Sequence, residues 1–293
     1  KDAVPLLSYK PDTQEILRQT DRLEEEREGR EGRGLKKEIG IIGLGKMGLN
    51  ISKRLLQAGW RVVGSDEKSK AVLELEKIGG IGANSVQKLV AGLSRPKIIW
   101  LMLPAGDAVE KTTFSKPGLA SLLQKNDTVI DGGNSFYEDS VRRQVKLKKN
   151  GIEFLDAGVS GGPEGVLTGA AIMVGGERNV FDKIEPLFRD LAARNGYGYM
   201  GGPGAGHFAK MIHNGIEYGM MEAIAEGFAV LKKSPYKLDL RKIAGIYNHG
   251  SVIESRLIGW LEAAYHNFGP ELKPVSGIVA HTGEGEWTVK TAK

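Results

Sequence analysis

The feature that most constrains the fold of this chain is a glycine-rich turn between a predicted strand and a predicted helix. The short apolar segment Glu38–Ile42 leads into Gly43, Gly45 and Gly48, and apolar residues recur at helical spacing over Lys46–Ala58. The first glycine permits a tight turn, the second lets a pyrophosphate approach the backbone, and the third allows close packing of helix and strand. The turn therefore predicts a dinucleotide site. Its predicted cofactor-binding residues are Gly43, Leu44, Gly45, Lys46, Met47 and Gly48.

An acidic residue after the next predicted strand favours this interpretation over a glycine-rich turn that binds no ligand. The second strand is Trp60–Ser65, and Asp66 follows it, 23 residues after Gly43. A carboxylate there can accept hydrogen bonds from both ribose hydroxyls, and it would repel the 2′-phosphate of NADP. Lys68 and Lys70 follow closely and could reduce that discrimination. The sequence therefore favours NAD as the cofactor, with NADP as the less favoured alternative.

Strands and helices alternate up to about residue 200, which predicts a largely parallel sheet. After the glycine-rich segment 201–206 the pattern becomes helical, with one long helix over His207–Lys232 and one or two more over Leu238–His266. The predicted fold class is α/β, with an N-terminal Rossmann-type doubly wound sheet followed by an all-helical C-terminal domain. The further predicted strands are Lys97–Leu103, Asp127–Asp131, Gly151–Leu155 and Ala171–Val174.

Three regions are expected along the chain. Residues 1–37 form a charged extension, helical or disordered, with nine Lys or Arg and nine Asp or Glu residues. Its acidic residues argue against a transit peptide, and a solvated extension is favoured over a partner-binding helix. Residues 38–200 form the NAD(P)-binding domain. Residues 201–293 form a helical substrate and dimerisation domain, which is expected to be truncated at its C-terminus.

Composition excludes several classes of function. The chain has no cysteine, so a thiolate nucleophile and cysteine-based metal sites are excluded, and no metal ion is expected. The net charge of +5 is not clustered in a nucleic-acid-binding motif, and it fits a small anionic substrate. No apolar run approaches the ~18–20 residues that span a bilayer. We therefore expect a soluble, cytoplasmic protein that binds neither nucleic acid nor membrane.

A polar face on the long predicted helix carries the candidate catalytic groups. Lys210, His213, Asn214 and Glu217 are spaced i, i+3, i+4 and i+7, so they share one side of the helix. The flanking residues are apolar, which predicts a buried helix whose polar groups need partners. Two mid-helix glycines cost about 1 kcal/mol each relative to alanine, which makes sense where something packs against the helix. The alternative is an intrahelical network in which the four polar side chains satisfy one another.

Two more glycine-rich segments follow predicted strands, at the edge of the sheet where doubly wound folds bind ligands. Segment 131–135 reads Asp-Gly-Gly-Asn-Ser. Segment 156–162 ends in Ser160, Gly161 and Gly162, which offer a hydroxyl and backbone N–H groups to an anion. Each segment alone is compatible with an ordinary turn, but together with the dinucleotide motif they predict a substrate site.

With these residues in view, the chain resembles the decarboxylating 6-phosphogluconate dehydrogenases, and most of all their short, NAD-preferring form, within the β-hydroxyacid dehydrogenase superfamily. The resemblance covers residues 38–293 and depends on four ordered blocks. Sibling hydroxyacid dehydrogenases share the lysine but usually lack the Asp-Gly-Gly-Asn block and the His-Asn…Glu-Tyr continuation. The blocks are Gly43–Asn50, Asp131–Ser135, Val159–Gly162 and Gly204–Tyr218.

The resemblance implies oxidation of 6-phosphogluconate at C3 and loss of CO₂ to give ribulose 5-phosphate, a step of the pentose phosphate pathway. Lys210 would be the base that removes the 3-hydroxyl proton, which requires a neutral amine. Once protonated, it would polarise the keto group for decarboxylation, so no metal is needed. Glu217 would protonate the enediol at C1. A homodimer or homotetramer is also implied.

The binding residues are likewise implied by the resemblance. Asn134 would sit between nicotinamide and substrate, and Tyr218 would help to hold the phosphate. The implied substrate-binding residues are Asn134, Ser160, Gly161, Gly162, His213, Asn214 and Tyr218. The implied cofactor-binding residues outside the glycine-rich turn and Asp66 are Leu103, Ala105 and Asn134.

The predicted phosphate-binding region departs from the family pattern. Long family members bind phosphate with a Lys and a Thr just before a Gly-x-Trp-Thr block, where this chain has Thr282–Thr288. Family members also commonly carry an Arg where this chain has Glu254, and Arg256 is either its substitute or an ordinary surface residue. The alternative function is a non-decarboxylating NAD-dependent dehydrogenase of an unphosphorylated sugar acid or 3-hydroxy acid. A second alternative is a catalytically silent nucleotide-binding protein.

Overall fold

The computed structural model describes residues 35–275 and 283–292, apart from the side chain of Glu284. The extension expected over residues 1–37 therefore lies outside the described residues except for its last three. The described strands are β1 (Glu38–Ile42), β2 (Arg61–Ser65), β3 (Ile81–Gly82), β4 (Ile98–Leu101), β5 (Thr128–Asp131), β6 (Glu153–Ser160), β7 (Ala170–Gly176) and β8 (Ala192–Gly201). They form one sheet in the order β3-β2-β1-β4-β5-β6-β7-β8. The first six strands are parallel, β7 is antiparallel to β6, and β8 is parallel to β7.

Helices connect the strands in the first part of the chain and follow the sheet in the last part. Those among the strands are α1 (Lys46–Gln57), α2 (Ser69–Lys77), α3 (Val86–Ala91), α4 (Asp107–Phe114), α5 (Leu119–Leu122), α6 (Tyr137–Lys148), α7 (Gly162–Thr168) and α8 (Arg178–Leu191). Those after the sheet are α9 (Ala205–Lys233), α10 (Leu240–Tyr247), α11 (Arg256–Phe268) and α12 (Glu284–Thr291).

Both faces of the sheet are covered, as a doubly wound fold requires. Side chains alternate between the faces of a strand. Ile41 packs in one buried cluster with Trp100 of the neighbouring strand, whereas Ile42 packs in another with Ile99. Strands that are buried on both faces carry continuous apolar runs, which is why the sequence revealed them. The first six strands have the Rossmann order 3-2-1-4-5-6, so the predicted α/β class with a largely parallel sheet is confirmed.

The sheet extends further than the sequence pattern indicated. The unpredicted strand β3 has two residues, too few to show an alternating pattern. The other unpredicted strand, β8, lies at the sheet edge, and its glycines and half-exposed residues hide the strand pattern. Strand β6 was expected to end at Leu155 but continues to Ser160, because its glycine-containing second half pairs antiparallel with β7.

The chain divides into two units, the first ending at His207 and the second beginning at Phe208. The division falls within α9, seven residues after the boundary expected at residue 200. The described part of the second unit is helical, and its two predicted helical regions are present as α9 and as the pair α10 and α11. The buried residues of its core are Phe228, Leu240, Ala244, Ile258 and Tyr265.

None of the helices within the described ranges is both long enough and apolar enough to cross a membrane. Within the same ranges, no group of three or more His, Asp or Glu side chains is placed to hold a metal ion.

Candidate active site

The glycine-rich turn between β1 and α1 leaves room for a ligand at one glycine and not at the other two. Gly43 has a φ of +94°, and a Cβ on it would lie 2.9 Å from the carbonyl carbon of Met102. A Cβ on Gly48 would lie 3.0 Å from the carbonyl carbon of Gly43 and closer still to its oxygen. Gly45 has an ordinary φ of −63°, and a Cβ there would meet no heavy atom of the described residues within 4 Å. Open space at a helix N-terminus fits a phosphate, so the turn fits a dinucleotide.

Asp66 lies against this turn and is held in a fixed orientation. The N–H of Leu44 donates to Asp66 Oδ2 at 2.7 Å, and the N–H of Lys68 donates to Oδ1 at 2.8 Å. Each carboxylate oxygen keeps further acceptor capacity, so ribose hydroxyls can still donate to it. The structure therefore brings Asp66 and the turn together. Its role in cofactor binding stays a prediction.

The loop after β4 contacts both the turn and the loop after β5, at the same edge of the sheet. A Cβ on Gly43 would lie 3.1 Å from Leu103 Cδ2, and a Cβ on Gly133 would lie 2.5 Å from the carbonyl oxygen of Leu103. Leu103, Ala105 and Asn134 are all half-buried. The predicted cofactor positions of the first unit thus lie on four loops, which follow β1, β2, β4 and β5.

A buried ion pair supports the loop after β5. Asp131 is fully buried and accepts hydrogen bonds from Arg143 Nη1 at 2.9 Å, from Ser135 Oγ at 2.7 Å and from the N–H of Gly133 at 3.2 Å. The first residue of the Asp-Gly-Gly-Asn-Ser segment is therefore an anchor inside the protein. Sequence reasoning missed Arg143, because nothing in a charged helical segment marks which arginine is buried.

The same arginine reaches helix α4. Arg143 Nε donates to Glu110 Oε1 at 2.8 Å, and the neighbouring Arg142 donates to both oxygens of Glu110. Partial burial raises the pKa of Glu110, but the hydrogen bonds from Arg142 and Arg143 outweigh burial, so the pKa lies below its ordinary value. Glu110 is therefore stabilised in its charged form.

The segment Ser160–Gly162 connects the end of β6 to α7 and is tied to the dinucleotide helix. Gly161 and Gly162 have φ values of +122° and +65°, which glycine adopts without strain. Asn50 Nδ2, on α1, donates to the carbonyl oxygen of Pro163 at 2.7 Å. The predicted carboxylate-binding segment thus lies beside the helix that begins at the glycine-rich turn.

Asp156 is a second anchor that sequence reasoning did not identify. It is fully buried, and its two oxygens accept from the N–H of Gly204 at 2.7 Å and from the N–H of His207 at 2.8 Å. A carboxylate at this place pairs the N–H of the residue just before α9 and one N–H of its first turn, groups for which the helix itself offers no carbonyl partner. The signal in the sequence was an acidic residue directly after the predicted strand Gly151–Leu155, and its position does not reveal the partner that a buried charge needs.

In the second unit, the side chains on the predicted polar face of α9 lie around Nδ1 of His213. Lys210 is buried, and its Nζ lies 3.4 Å from His213 Nδ1. The same nitrogen lies 3.0 Å from Asn214 Oδ1 and 3.7 Å from Glu217 Oε2. These contacts fit the intrahelical network and are equally compatible with a catalytic set, since a lysine, an imidazole and a carboxylate can all move protons.

Helix α12 explains one of the two mid-helix glycines of α9. A Cβ on Gly215 would lie 2.6 Å from Thr288 Cγ2, and Thr288 Oγ1 donates to the carbonyl oxygen of Met211 at 3.0 Å. A Cβ on Gly219 would have no described heavy atom within 4 Å. The glycine at 215 therefore serves packing within the chain, so it is not by itself a sign of a ligand.

The predicted phosphate end of the site is described only in part. A Cβ on Gly285 would lie 3.6 Å from Tyr218 Cε2, so the start of α12 lies near this ring. Glu254 accepts a hydrogen bond from the N–H of Gly250 at 2.7 Å, and Arg256 is exposed at the first position of α11. Thr282 lies outside the described residues.

Two family models match successive parts of the chain. The NAD-binding domain of 6-phosphogluconate dehydrogenase matches residues 38–202, and the C-terminal domain of 6-phosphogluconate dehydrogenase matches residues 206–292. Together with the fold and the glycine-rich turn, these matches define a nicotinamide-dependent dehydrogenase, an oxidoreductase. The chain belongs to the 6-phosphogluconate dehydrogenase family.

Individual relatives agree with this assignment. The chain is 48% identical to the Bacillus subtilis protein YqeC, provisionally named a 6-phosphogluconate dehydrogenase, over 87% of this chain and 84% of the relative. It is 43% identical, with the same coverage, to an NAD⁺-dependent, decarboxylating 6-phosphogluconate dehydrogenase of Haloferax volcanii. A solved 6-phosphogluconate dehydrogenase of Plasmodium falciparum is 28% identical with a TM-score of 0.78, over 87% of this chain and 57% of that one.

Proposed function

We propose that the protein catalyses the NAD-dependent oxidation and decarboxylation of 6-phosphogluconate to ribulose 5-phosphate and CO₂. The observation that carries the proposal is the buried amine of Lys210 within 3.4 Å of His213, with the carboxylate of Glu217 on the same helix face. Oxidation of a hydroxyl followed by loss of CO₂ requires one group that accepts and returns a proton and a second group that protonates carbon. This helix face supplies both.

In the proposed reaction, the Gly43–Gly48 turn and Asp66 would hold the cofactor, which would supply the acceptor for the hydride that leaves C3 of the substrate. Lys210 Nζ accepts the proton of the 3-hydroxyl and then returns it to the keto oxygen. When the bond between C2 and the carboxyl carbon breaks, CO₂ leaves, and the electron pair of that bond becomes the double bond between C2 and C3 of an enediol. Glu217, in its protonated form, donates a proton to the carbon that becomes C1 of the product, while Lys210 Nζ takes back the proton of the enediol hydroxyl on C3, so that this carbon becomes the keto carbon of ribulose 5-phosphate. His213 and Asn214 bind the sugar hydroxyls and orient the chain of the substrate.

We also propose that NAD is preferred over NADP. Asp66 supports this, because two backbone N–H groups hold its carboxylate against the glycine-rich turn, and we propose that the ribose binds there. A fixed negative charge there repels a 2′-phosphate. The exposed Lys68 and Lys70 are the groups that would weaken this preference.

The anionic ends of the substrate are assigned to two segments. We propose that Ser160–Gly162 binds the carboxylate through a hydroxyl and backbone N–H groups. Tyr218 is proposed to help to hold the phosphate.

One observation favours a second candidate, a dehydrogenase of an unphosphorylated sugar acid. Glu254 places a carboxylate, held by the N–H of Gly250, where the family pattern has a cation.

One assay tests the proposal. Absorbance of reduced nicotinamide and released CO₂ are measured with NAD or NADP, and with 6-phosphogluconate or gluconate. We expect turnover with NAD and 6-phosphogluconate, and none after Lys210→Met, while the Kd for NAD changes less than threefold. Equal turnover of gluconate would support the second candidate. Loss of NAD binding in the variant would mean that Lys210 has a structural role. Light scattering tests the homodimer or homotetramer that belongs to the same proposal.

A further inference from the structure

The loop after β5 packs through two glycines against the Trp100 side chain of strand β4 and against the backbone of the loop that follows β4. A Cβ on Gly132 would lie 2.5 Å from Trp100 Cε2, and a Cβ on Gly133 would lie 2.5 Å from the carbonyl oxygen of Leu103. The loop after β5, which carries Asn134, therefore lies directly on the loop after β4, which carries Leu103 and Ala105. A displacement of either loop changes the position of the other.

The side chain of Arg143 bonds to the loop after β5 and to helix α4, which follows the loop after β4. Its Nη1 donates to Asp131 at 2.9 Å and to Ser135 Oγ at 3.1 Å, which lie on either side of Asn134. Its Nε donates to Glu110 at 2.8 Å, on the helix that follows the Leu103 loop. The Arg143 side chain is 0% exposed, as is that of Asp131. The bond between Arg143 and Asp131 is therefore shielded from water, where a charge-assisted hydrogen bond contributes more than at the surface, whereas the Glu110 side chain is 27% exposed.

The arrangement requires an arginine and not simply a positive charge. A planar guanidinium presents N–H groups in fixed, divergent directions, so one side chain can bond to acceptors on two elements. The single ammonium group of a lysine cannot span the same acceptors. Arg142, the preceding residue, bonds to Glu110 and Asp139 but has no hydrogen bond to Asp131 or Ser135 among the described contacts, and 44% of its side chain is exposed.

We propose that Arg143 is a positioning residue that clamps the loop carrying Asn134 to the loop carrying Leu103 and Ala105. The clamp rests on the proposed function, because its purpose is to hold the nicotinamide end of the cofactor against the substrate. Arg143 does not contact the Gly43–Gly48 turn or Asp66 in the described contacts, and these are the residues proposed to bind the pyrophosphate and the adenosine ribose of the cofactor. Loss of the clamp should therefore slow turnover far more than it weakens cofactor binding.

The test compares Arg143→Lys with the matched control Arg142→Lys in the full chain. Hydrogen–deuterium exchange of the amides over residues 132–136, kcat with NAD and 6-phosphogluconate, and the Kd for NAD are measured for both. For Arg143→Lys we expect at least tenfold faster exchange, a kcat lowered about 10- to 100-fold by misplacement of the reacting groups, and a Kd within threefold. The control should stay within twofold in all three, because exposed ion pairs contribute little.

Other outcomes also decide the matter. If Arg143→Lys lowers Tm but leaves exchange and kcat within twofold of wild type, Arg143 only stabilises the fold and the clamp is overturned. If the variant does not fold, Ser135→Ala removes one acceptor of the clamp and should still raise exchange at least threefold, and unchanged exchange would overturn it. If the wild-type protein has no activity on 6-phosphogluconate, the proposed function fails, while exchange still decides whether Arg143 holds the loop.

Discussion

Alanine substitutions at two glycines of the same turn should have opposite consequences for stability and for cofactor binding. Gly48 is surrounded by the protein itself, since a Cβ would lie 3.0 Å from the carbonyl carbon of Gly43. Gly45 faces open space and has a φ that alanine adopts without strain. Gly48→Ala should therefore destabilise the protein, whereas Gly45→Ala should impair binding without destabilising it.

The expected magnitudes follow from these surroundings. Forcing a methyl group against a backbone carbonyl costs about 1–3 kcal/mol, which lowers Tm by about 2–12 °C at roughly 2–4 °C per kcal/mol. At Gly45, alanine stabilises the protein by about 0.4–1 kcal/mol, because it restricts the unfolded chain. Alanine is also a poorer N-cap than glycine, which destabilises the protein by a similar amount. These effects nearly cancel. A methyl group that keeps a phosphate from one N–H removes about 1.5–3 kcal/mol of binding, so the Kd rises about 10- to 150-fold.

The assay is a thermal melt of each variant with and without NAD, together with NAD titration followed by tryptophan fluorescence. Gly45→Ala should melt within about 4 °C of wild type and lose most of the stabilisation that NAD provides. If Gly45→Ala binds NAD with unchanged Kd, the open space over Gly45 is not the phosphate site. In that case the assignment of the whole turn fails.

Four further results are expected. Asp66→Asn should lower the NAD-to-NADP ratio of kcat/KM at least tenfold, because it removes the charge that repels a 2′-phosphate; initial rates with both cofactors measure this. Glu217→Gln should lower kcat about 100-fold or more with unchanged NAD affinity, and an unchanged kcat would remove Glu217 from the mechanism. Asp156→Ala should cost about 2–6 kcal/mol in urea unfolding, because two buried N–H groups lose their acceptor. The pKa of Glu110 is lower in the folded protein than its ordinary value of 4.5, so near and below pH 4.5 the unfolded chain binds more protons at this group than the folded protein does. The contribution of Glu110 to the free energy of unfolding should therefore be present above pH 4.5 and be lost as the pH falls through the lowered pKa. Urea unfolding at pH 7 and at pH 4 would measure this difference.

The sequence by itself determined the features that depend on neighbours along the chain. The glycine-rich turn between β1 and α1 could be identified because strand, turn and helix are consecutive. The polar face of α9 could be identified because residues three and four apart are adjacent on any helix. The α/β class followed from the buried, apolar strands. Each of these depends on local geometry, which residue types and their spacing reveal.

Only the tertiary structure decided which distant groups meet. Asp156 caps the start of α9 across 51 residues of sequence, and Arg143 reaches Glu110 across 33. Thr288 explains Gly215, which the sequence alone left open to a ligand. The edge strand β8 forms because β7 offers it a pairing edge, although its own residues carry no strand pattern. Such contacts depend on sheet order and register, which bring together residues whose spacing along the chain has no fixed relation to their distance in space.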